Sequence, residues 1–180
     1  MNPMTDPFAL FGLPERFEID RAELERRYLA MSRELHPDRH VNASPRERLL
    51  SVERTTNLNE AYKTLRDDFR RAEHLLLCRG IDTTEQNEDH RATVDGQLLM
   101  EVLELREALA QACASSDAVK INELAVDVRG RTDRAWTELR ALFQKLDAGD
   151  PAPLRSIATG MTSLRYYRRF LEEVAVIEDA

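Results

Sequence analysis

The sequence predicts an all-α protein in two domains, and three observations support this. Apolar residues recur every three or four positions along most of the chain, which is the helical period. Only 6 Gly and 7 Pro are present, and hydrophobic residues make up 42% of the chain and charged residues 33%. A polar stretch without a period, Ile81 to Arg91, divides the helical patterns into two groups. We therefore expect domains at 6–80 and 94–178, joined by a linker at 81–93, and no strands.

The first domain opens with a short apolar turn at 7–13 (PFALFGL). Asp20 is a suitable N-cap for the helix that follows, since Glu23 stands three residues later in capping-box position. This helix should run to about His36. Pro37 has no backbone N–H and disfavours helix in the residue before it, so we expect the helix to stop there.

A second long helix is predicted from Ser44 to about Arg66, with Ser44 as the N-cap and Pro45 as the first helical residue. The two long helices carry apolar stripes and should form an antiparallel hairpin. The stripes are Leu24, Tyr28, Met31 and Leu35 on the first helix, and Val52, Leu58, Ala61, Tyr62 and Leu65 on the second. A shorter helix, 68–79, should end at Gly80 in C-cap position.

Three further helical patterns follow the linker and predict an antiparallel three-helix bundle, because short loops join long helices. The second and third of these helices are separated by the break at 149–151. The apolar positions are Leu98, Val102, Leu105 and Leu109; then Ile121, Leu124, Val128, Ala135, Leu139, Leu142 and Leu146; then Leu154, Ile157, Met161, Leu164, Leu171 and Val174.

The first bundle helix, about 94–113, has a second apolar face. At about 100° per residue, Leu99, Met100 and Leu103 lie off the core stripe, with Glu104 and Glu107 beside them. One apolar stripe is enough for a small bundle, so a second one predicts a partner-binding patch. The alternative is that Leu99 and Leu103 are buried against the first domain or the third bundle helix.

The third bundle helix shows a weaker feature of the same kind. Tyr166 and Phe170 lie off its apolar stripe, among Arg165, Arg168 and Arg169. An aromatic side chain beside basic residues suits an interface, although a half-buried tyrosine is equally ordinary.

Composition limits the classes of partner and the compartment. The net charge of −7 argues against nucleic acid, and eight acidic residues with two arginines fall in 81–113. No apolar run reaches the roughly 18–20 residues of a spanning helix. The N-terminus lacks the basic start of a signal peptide, so a cytoplasmic protein is expected. Cys78 and Cys113 form no CxxC pair, which argues against a thiolate zinc site and fits reduced thiols.

The polar bend contains His36-Pro37-Asp38, and its residues allow more than one interpretation. His36, Asp38 and His40 could form the metal site of a hydrolase, but Pro37 breaks the helix that would bring the histidines together. Pro37 could also simply end the helix while Asp38 helps the bend. A nucleotide site is not expected, because the sequence lacks a phosphate-binding Gly-rich loop.

Residues 6–80 resemble the J-domain family in the PFALFGL opening, the His36-Pro37-Asp38 loop and the NEAY segment at 59–62. J-domains stimulate ATP hydrolysis by chaperones of the seventy-kilodalton heat-shock class. The resemblance implies that His36, Pro37 and Asp38 activate the ATPase partner, where a fixed carboxylate could pair with an arginine. It also implies a basic docking surface on the preceding helix at Arg26, Arg27 and Arg33. Ordinary solvation of that helix is the alternative, since Glu23, Glu25 and Glu34 share it.

Nearly the whole chain resembles the HscB family of iron–sulfur co-chaperones, with TLRDDFRRAEHLL at 64–76 and LMEVLELRE at 99–107 as further motifs. The resemblance implies a non-enzymatic adaptor between an HscA-like ATPase chaperone and an IscU-like scaffold protein, with no cofactor of its own. The implied scaffold-binding residues are Leu99, Met100, Leu103, Glu104, Arg106, Glu107 and Tyr166. A monomer is expected. The alternatives are a J-domain co-chaperone for another client, the hydrolase above, or a purely structural helical scaffold.

Overall fold

The computed structural model describes residues 6–35, 44–83 and 96–179, and within these ranges every regular element is a helix. The predicted all-α class is confirmed. The helices are α1 (Pro7–Phe11), α2 (Arg21–Glu34), α3 (Pro45–Arg66), α4 (Asp68–Cys78), α5 (Gly96–Ala114), α6 (Ala118–Asp147) and α7 (Leu154–Glu178). The chain divides into two units, Met1–Cys78 and Arg79–Ala180. The limits predicted for domains and linker, 6–80, 81–93 and 94–178, stay predictions.

The opening turn of the first unit is a capped helix. The Asp6 carboxylate accepts hydrogen bonds from the backbone N–H groups of Phe8 and Ala9, which have no partner within the helix. Gly12 ends α1 with φ of 60°, a left-handed conformation that favours glycine. The Arg27 guanidinium of α2 donates to the carbonyls of Phe11 and Gly12, so it ties the end of α1 to α2.

Helices α2 and α3 form the predicted antiparallel hairpin. Tyr28 stacks on Tyr62 with ring centroids 4.0 Å apart, and its hydroxyl donates to the Asn59 side chain at 3.0 Å. Directly after the end of α2, the Leu35 carbonyl accepts a hydrogen bond from the Ser51 hydroxyl of α3 at 3.2 Å. Residues later in α2 therefore contact residues earlier in α3, as antiparallel packing requires. At the start of α3, Ser44 and Glu47 form a complete capping box.

The prediction that Val52 belongs to the apolar stripe of the hairpin is wrong. Val52 is 57% exposed, whereas its neighbour Ser51 is buried. The rotation of α3 about its axis places Ser51, Leu58 and Leu65 inward, which is an unbroken period of seven residues and leaves Val52 about 100° away. A small polar residue thus occupies a position that periodicity assigned to a valine.

A buried arginine connects the segments of the first unit. Arg71 is only 1% exposed, and its guanidinium lies 4.9 Å from the Phe17 ring centroid. It donates to the carbonyls of Phe17 and Leu65 and pairs with Asp68. Burial lowers the pKa of Arg71, while the hydrogen bond and charge of Asp68 oppose that shift. Two carbonyls and a carboxylate therefore offset the cost of burying this guanidinium.

The second unit is an antiparallel three-helix bundle. Glu101 of α5 contacts Arg131 of α6 and Tyr167 of α7, while Leu139 of α6 lies against Gly160 of α7. Contacts on α6 therefore move toward its C-terminus as those on α7 move toward its N-terminus. The core includes Leu105, Leu109, Ala112, Ile121, Ala125, Val128, Tyr167, Phe170 and Val174.

Phe170 belongs to this core, so its predicted place off the apolar stripe, with Tyr166, is wrong. Its side chain is buried with Val174, one turn further along α7. The stripe of α7 is wider than predicted and centred toward Phe170, whereas Leu171 is only partly buried and packs at its margin.

Candidate functional site: two surfaces for protein partners

The outward side of α5 carries an exposed apolar surface, which we call the outer patch: Leu99, Met100 and Leu103. These side chains are 47%, 58% and 50% exposed, so none is a core residue of the bundle. Buried Leu98, Leu105 and Leu109 point to the opposite side of the helix. Exposed leucine and methionine side chains clustered on one helix face are unusual for a solvated surface and indicate a site for another protein.

Charged side chains surround the outer patch. Glu104, Arg106 and Glu107 are all exposed on α5. Carboxylates and a guanidinium at the margin of an apolar surface form the polar rim that protein interfaces have. The arrangement suits a partner with an apolar centre and charged groups of both signs around it.

Tyr166 lies on α7, not on the helix that carries the outer patch, and it is partly buried. Its neighbours in sequence have partners of their own: Arg165 donates to the carbonyl and hydroxyl of Thr83, and Arg168 pairs with Glu172 at 3.0 Å. Because Tyr166 is partly buried, only part of its side chain could contact another protein. Its role at an interface stays a prediction.

Behind the outer patch, three polar side chains from three helices meet in what we call the Glu101 cluster: Glu101, Arg131 and Tyr167. One carboxylate oxygen of Glu101 accepts from the Arg131 guanidinium at 2.6 Å and from the Tyr167 hydroxyl at 2.7 Å. Burial, and next the hydrogen bond to Glu101, raise the pKa of Tyr167 to about 12. Asp127 contacts Arg131 at 2.9 Å and, with Glu101, raises the pKa of Arg131 above its ordinary value.

Sequence reasoning missed the Glu101 cluster, although one signal was present. Glu101 is three residues after Leu98 and four before Leu105, so it stands on the flank of the core stripe. A carboxylate in that position needs a donor on a neighbouring helix. Which arginine or tyrosine provides it depends on the packing of α6 and α7, and no local pattern reveals that.

A cleft of about 370 Å³ lies beside this cluster in the second unit. Its walls mix charged, small and apolar groups: Glu101, Arg131, Arg134, Ala135, Glu138, Leu139, Leu142, Ser156, Gly160, Ser163 and Tyr167. In the part of the chain that the structure describes, no three His, Cys, Asp or Glu side chains lie close enough to hold a metal ion. The described helices include none with the length and apolar character needed to cross a membrane.

The predicted ATPase-activating residues, His36, Pro37 and Asp38, lie outside the described residues, as does His40. The structure does describe both flanks of that segment. On one side, the carbonyl of Leu35 accepts from the Ser51 hydroxyl, and on the other the Ser44 capping box begins α3. Sequence reasoning did not predict this contact between Ser51 and Leu35.

The three arginines predicted to dock on the ATPase differ in their surroundings. Arg33 is exposed near the end of α2. Arg26 is exposed but forms an ion pair with Glu23 at 2.6 Å, and hydrogen bonds from Arg26 and then Arg27 lower the pKa of that carboxyl. Arg27 is mostly occupied within the unit, because it also holds the carbonyls at the end of α1. Arg33 is therefore the strongest of the three candidates.

The chain is similar to known proteins along nearly its whole length. A family described as the HSCB C-terminal oligomerisation domain matches residues 94–175. The co-chaperone protein HscB homolog of Ralstonia nicotianae is 41% identical over 147 residues, which cover 81% of this chain and 78% of the relative.

Two solved structures extend the similarity to the fold. Chaperone HscB from Vibrio cholerae has a TM-score of 0.77 at 30% identity, covering 97% of this chain and 98% of that one. Human co-chaperone protein HscB has a TM-score of 0.82 at 26% identity, covering 99% of this chain and 84% of that one.

Proposed function

The chain belongs to the HscB family, the co-chaperones of iron–sulfur cluster biogenesis, and from this premise we propose that it delivers an IscU-like scaffold protein to an HscA-like ATPase chaperone. In this proposal the bundle binds the scaffold, and the J-domain stimulates ATP hydrolysis by the chaperone. The iron–sulfur cluster is carried by the scaffold protein. The chain is a co-chaperone and not a member of an enzyme family, and we place it in the cytoplasm.

The outer patch is the observation that supports scaffold binding most strongly. Three apolar side chains about half exposed on one helix face have an unfavourable contact with water, which a protein partner would remove. Glu104, Arg106 and Glu107 would supply specificity at the rim, and Tyr166 would add an aromatic contact if the interface reaches α7. Nothing in this surface requires a bound metal or nucleotide.

The hairpin of α2 and α3 supports the proposal for the J-domain. Both helices bracket the segment that contains His36, Pro37 and Asp38, and their packing is anchored by the Tyr28–Tyr62 stack. In the proposed mechanism Asp38 pairs with a basic group of the ATPase, while Arg33, and less strongly Arg26 and Arg27, attract acidic groups of the ATPase. The ATP chemistry takes place entirely in the chaperone.

Tethering explains how one adaptor serves both partners. A scaffold held by the bundle stays near the chaperone that the J-domain has engaged, so its effective concentration there rises. Hydrolysis of ATP then coincides with the presence of the client.

Scaffold binding is tested by combining Leu99→Ala with Leu103→Ala. We expect the affinity for a purified IscU-like scaffold protein, measured by calorimetry, to fall at least about tenfold, since large apolar side chains dominate interfaces. The unfolding temperature should fall only slightly, because about half of each leucine side chain is already exposed. The matched control is Val119→Ala with Val126→Ala, which truncates two exposed apolar residues of α6.

Two outcomes would contradict this part of the proposal. Unchanged scaffold affinity in the leucine variant would exclude the outer patch as the interface. A large loss of thermal stability would instead show that the leucines support the bundle. Binding to unfolded model proteins in place of the scaffold would favour a co-chaperone for general clients.

A further inference from the structure

Helix α5 has two apolar sides, which raises the question of what fixes its rotation in the bundle. In its first three turns, Leu98, Val102 and Leu105 face one way, and Leu99, Met100 and Leu103 face nearly the opposite way. The two sets offer similar apolar side chains within these turns, although only the first set packs inward, and Leu109 and Ala112 further along α5 are buried on that same side. The hydrophobic effect depends on area and has no direction, so it discriminates weakly between them. Glu104 and Glu107 also oppose a reversed helix, because burying an unpaired carboxylate is costly, but they make no contact that defines the observed rotation.

The Glu101 cluster distinguishes the two rotations by direct contact. Glu101 lies on the flank of the inward side, and in the observed rotation its carboxylate reaches donors on both neighbouring helices. Turning α5 by half a revolution would carry that carboxylate away from α6 and α7. It would also leave the Tyr167 hydroxyl, on a residue only 8% exposed, without its acceptor.

We propose that the Glu101 cluster is a positioning device that sets the rotation of the first turns of α5 and so keeps the outer patch directed outward. This proposal rests on the proposed function, because it assigns the cluster a part in presenting the scaffold-binding surface. Polar contacts in otherwise apolar helix packing select one register among alternatives, even where they add little net stability. The cluster has the features of such a device, since one carboxylate joins three helices.

Asp127 makes a clean test possible. Arg131 also pairs with Asp127 on its own helix, so removal of Glu101 does not leave a guanidinium without a carboxylate. The double variant Glu101→Leu with Tyr167→Phe removes both cross-helix hydrogen bonds. It also removes the Glu101 carboxylate and the Tyr167 hydroxyl themselves, so neither is left buried without a partner. We expect its thermal stability to equal or exceed that of the parent, as for other replacements of buried polar groups by apolar ones.

The rotation of α5 can be measured without a binding partner, from the accessibility of cysteines on its two sides. Met100→Cys or Val102→Cys is introduced into the parent and into each variant, and the rate of alkylation by iodoacetamide at that position is followed by peptide mass spectrometry. In the parent the thiol at 100 reacts faster than the thiol at 102. In the double variant the ratio of the two rates should fall by roughly threefold to tenfold, because the two hydrogen bonds no longer favour the observed rotation. Scaffold affinity should fall in parallel.

Glu101→Gln is the conservative variant, because an amide oxygen still accepts both hydrogen bonds, and it should keep the parental ratio. If the double variant does not fold, Tyr167→Phe alone is measured, with a fall of about twofold expected. An unchanged ratio in either folded variant overturns the proposal. A changed ratio with a parent that never binds scaffold would instead show that the positioning is correct and the proposed function wrong.

Discussion

Single polar side chains decide where the helices of this protein end and how they meet. Asp20 and Ser44 are caps that the sequence predicts correctly, because capping depends on neighbours within three residues. Arg71 could not be recognised in the same way. Its partners at Phe17 and Leu65 are 54 and 6 residues distant, and an arginine in a polar helix normally indicates a solvated side chain.

The hydrogen bond of one residue, Ser51, leads to a testable prediction. Its buried hydroxyl holds the carbonyl of Leu35, the residue immediately before His36. Ser51→Ala removes that hydrogen bond at a cost of about 1 kcal/mol. We expect stimulation of the partner ATPase to fall about fivefold while scaffold affinity is unchanged, because a free energy of this size changes a population by that factor.

Steady-state ATP hydrolysis by the HscA-like chaperone, titrated with each variant, provides the measurement. Thr56→Ala is the matched control, since Thr56 is exposed on the same helix. Equal stimulation by Ser51→Ala and the control would show that the hydrogen bond from Ser51 to the Leu35 carbonyl has no part in activation.

At the scale of helices, the sequence predicts the number, type and order of the long elements but not their rotation. Periodicity locates an apolar stripe to within about one position, which corresponds to 100° around the helix. That uncertainty explains the wrong placement of Val52 and Phe170. It also explains why the exposure of the outer patch had to be observed, since α5 has apolar residues on both sides.

Close packing of α6 against α7 leads to a prediction at Gly160. A Cβ atom there would lie 2.9 Å from Cδ2 of Leu139, a buried side chain with little room to move. Gly160→Ala should destabilise the protein by about 1 kcal/mol, because overpacking outweighs the gain of about 1 kcal/mol in helix propensity.

The control is Gly130→Ala in the middle of α6, where the nearest atom to a new Cβ is the Arg134 guanidinium at 3.8 Å. That variant should stabilise the protein by about 0.5–1 kcal/mol. Thermal unfolding followed by circular dichroism measures both. Stabilisation by both alanines would contradict the close approach of the two helices.

The whole molecule consists of two units, and a different partner is proposed for each. The predicted all-α class and the family are confirmed, because they depend on long periodic segments and on motifs spread along the chain. The partners stay proposals, because recognition depends on atoms of a second protein. The monomeric state also stays a prediction, which sedimentation of the purified chain would test.

The ATPase rate of the HscA-like chaperone, measured with the scaffold and with Asp38→Ala in place of the parent chain, tests the adaptor most directly. We predict that the parent raises the rate and that Asp38→Ala does not, although it keeps its helical circular-dichroism signal and its affinity for the scaffold. Stimulation by Asp38→Ala equal to that by the parent would contradict the account.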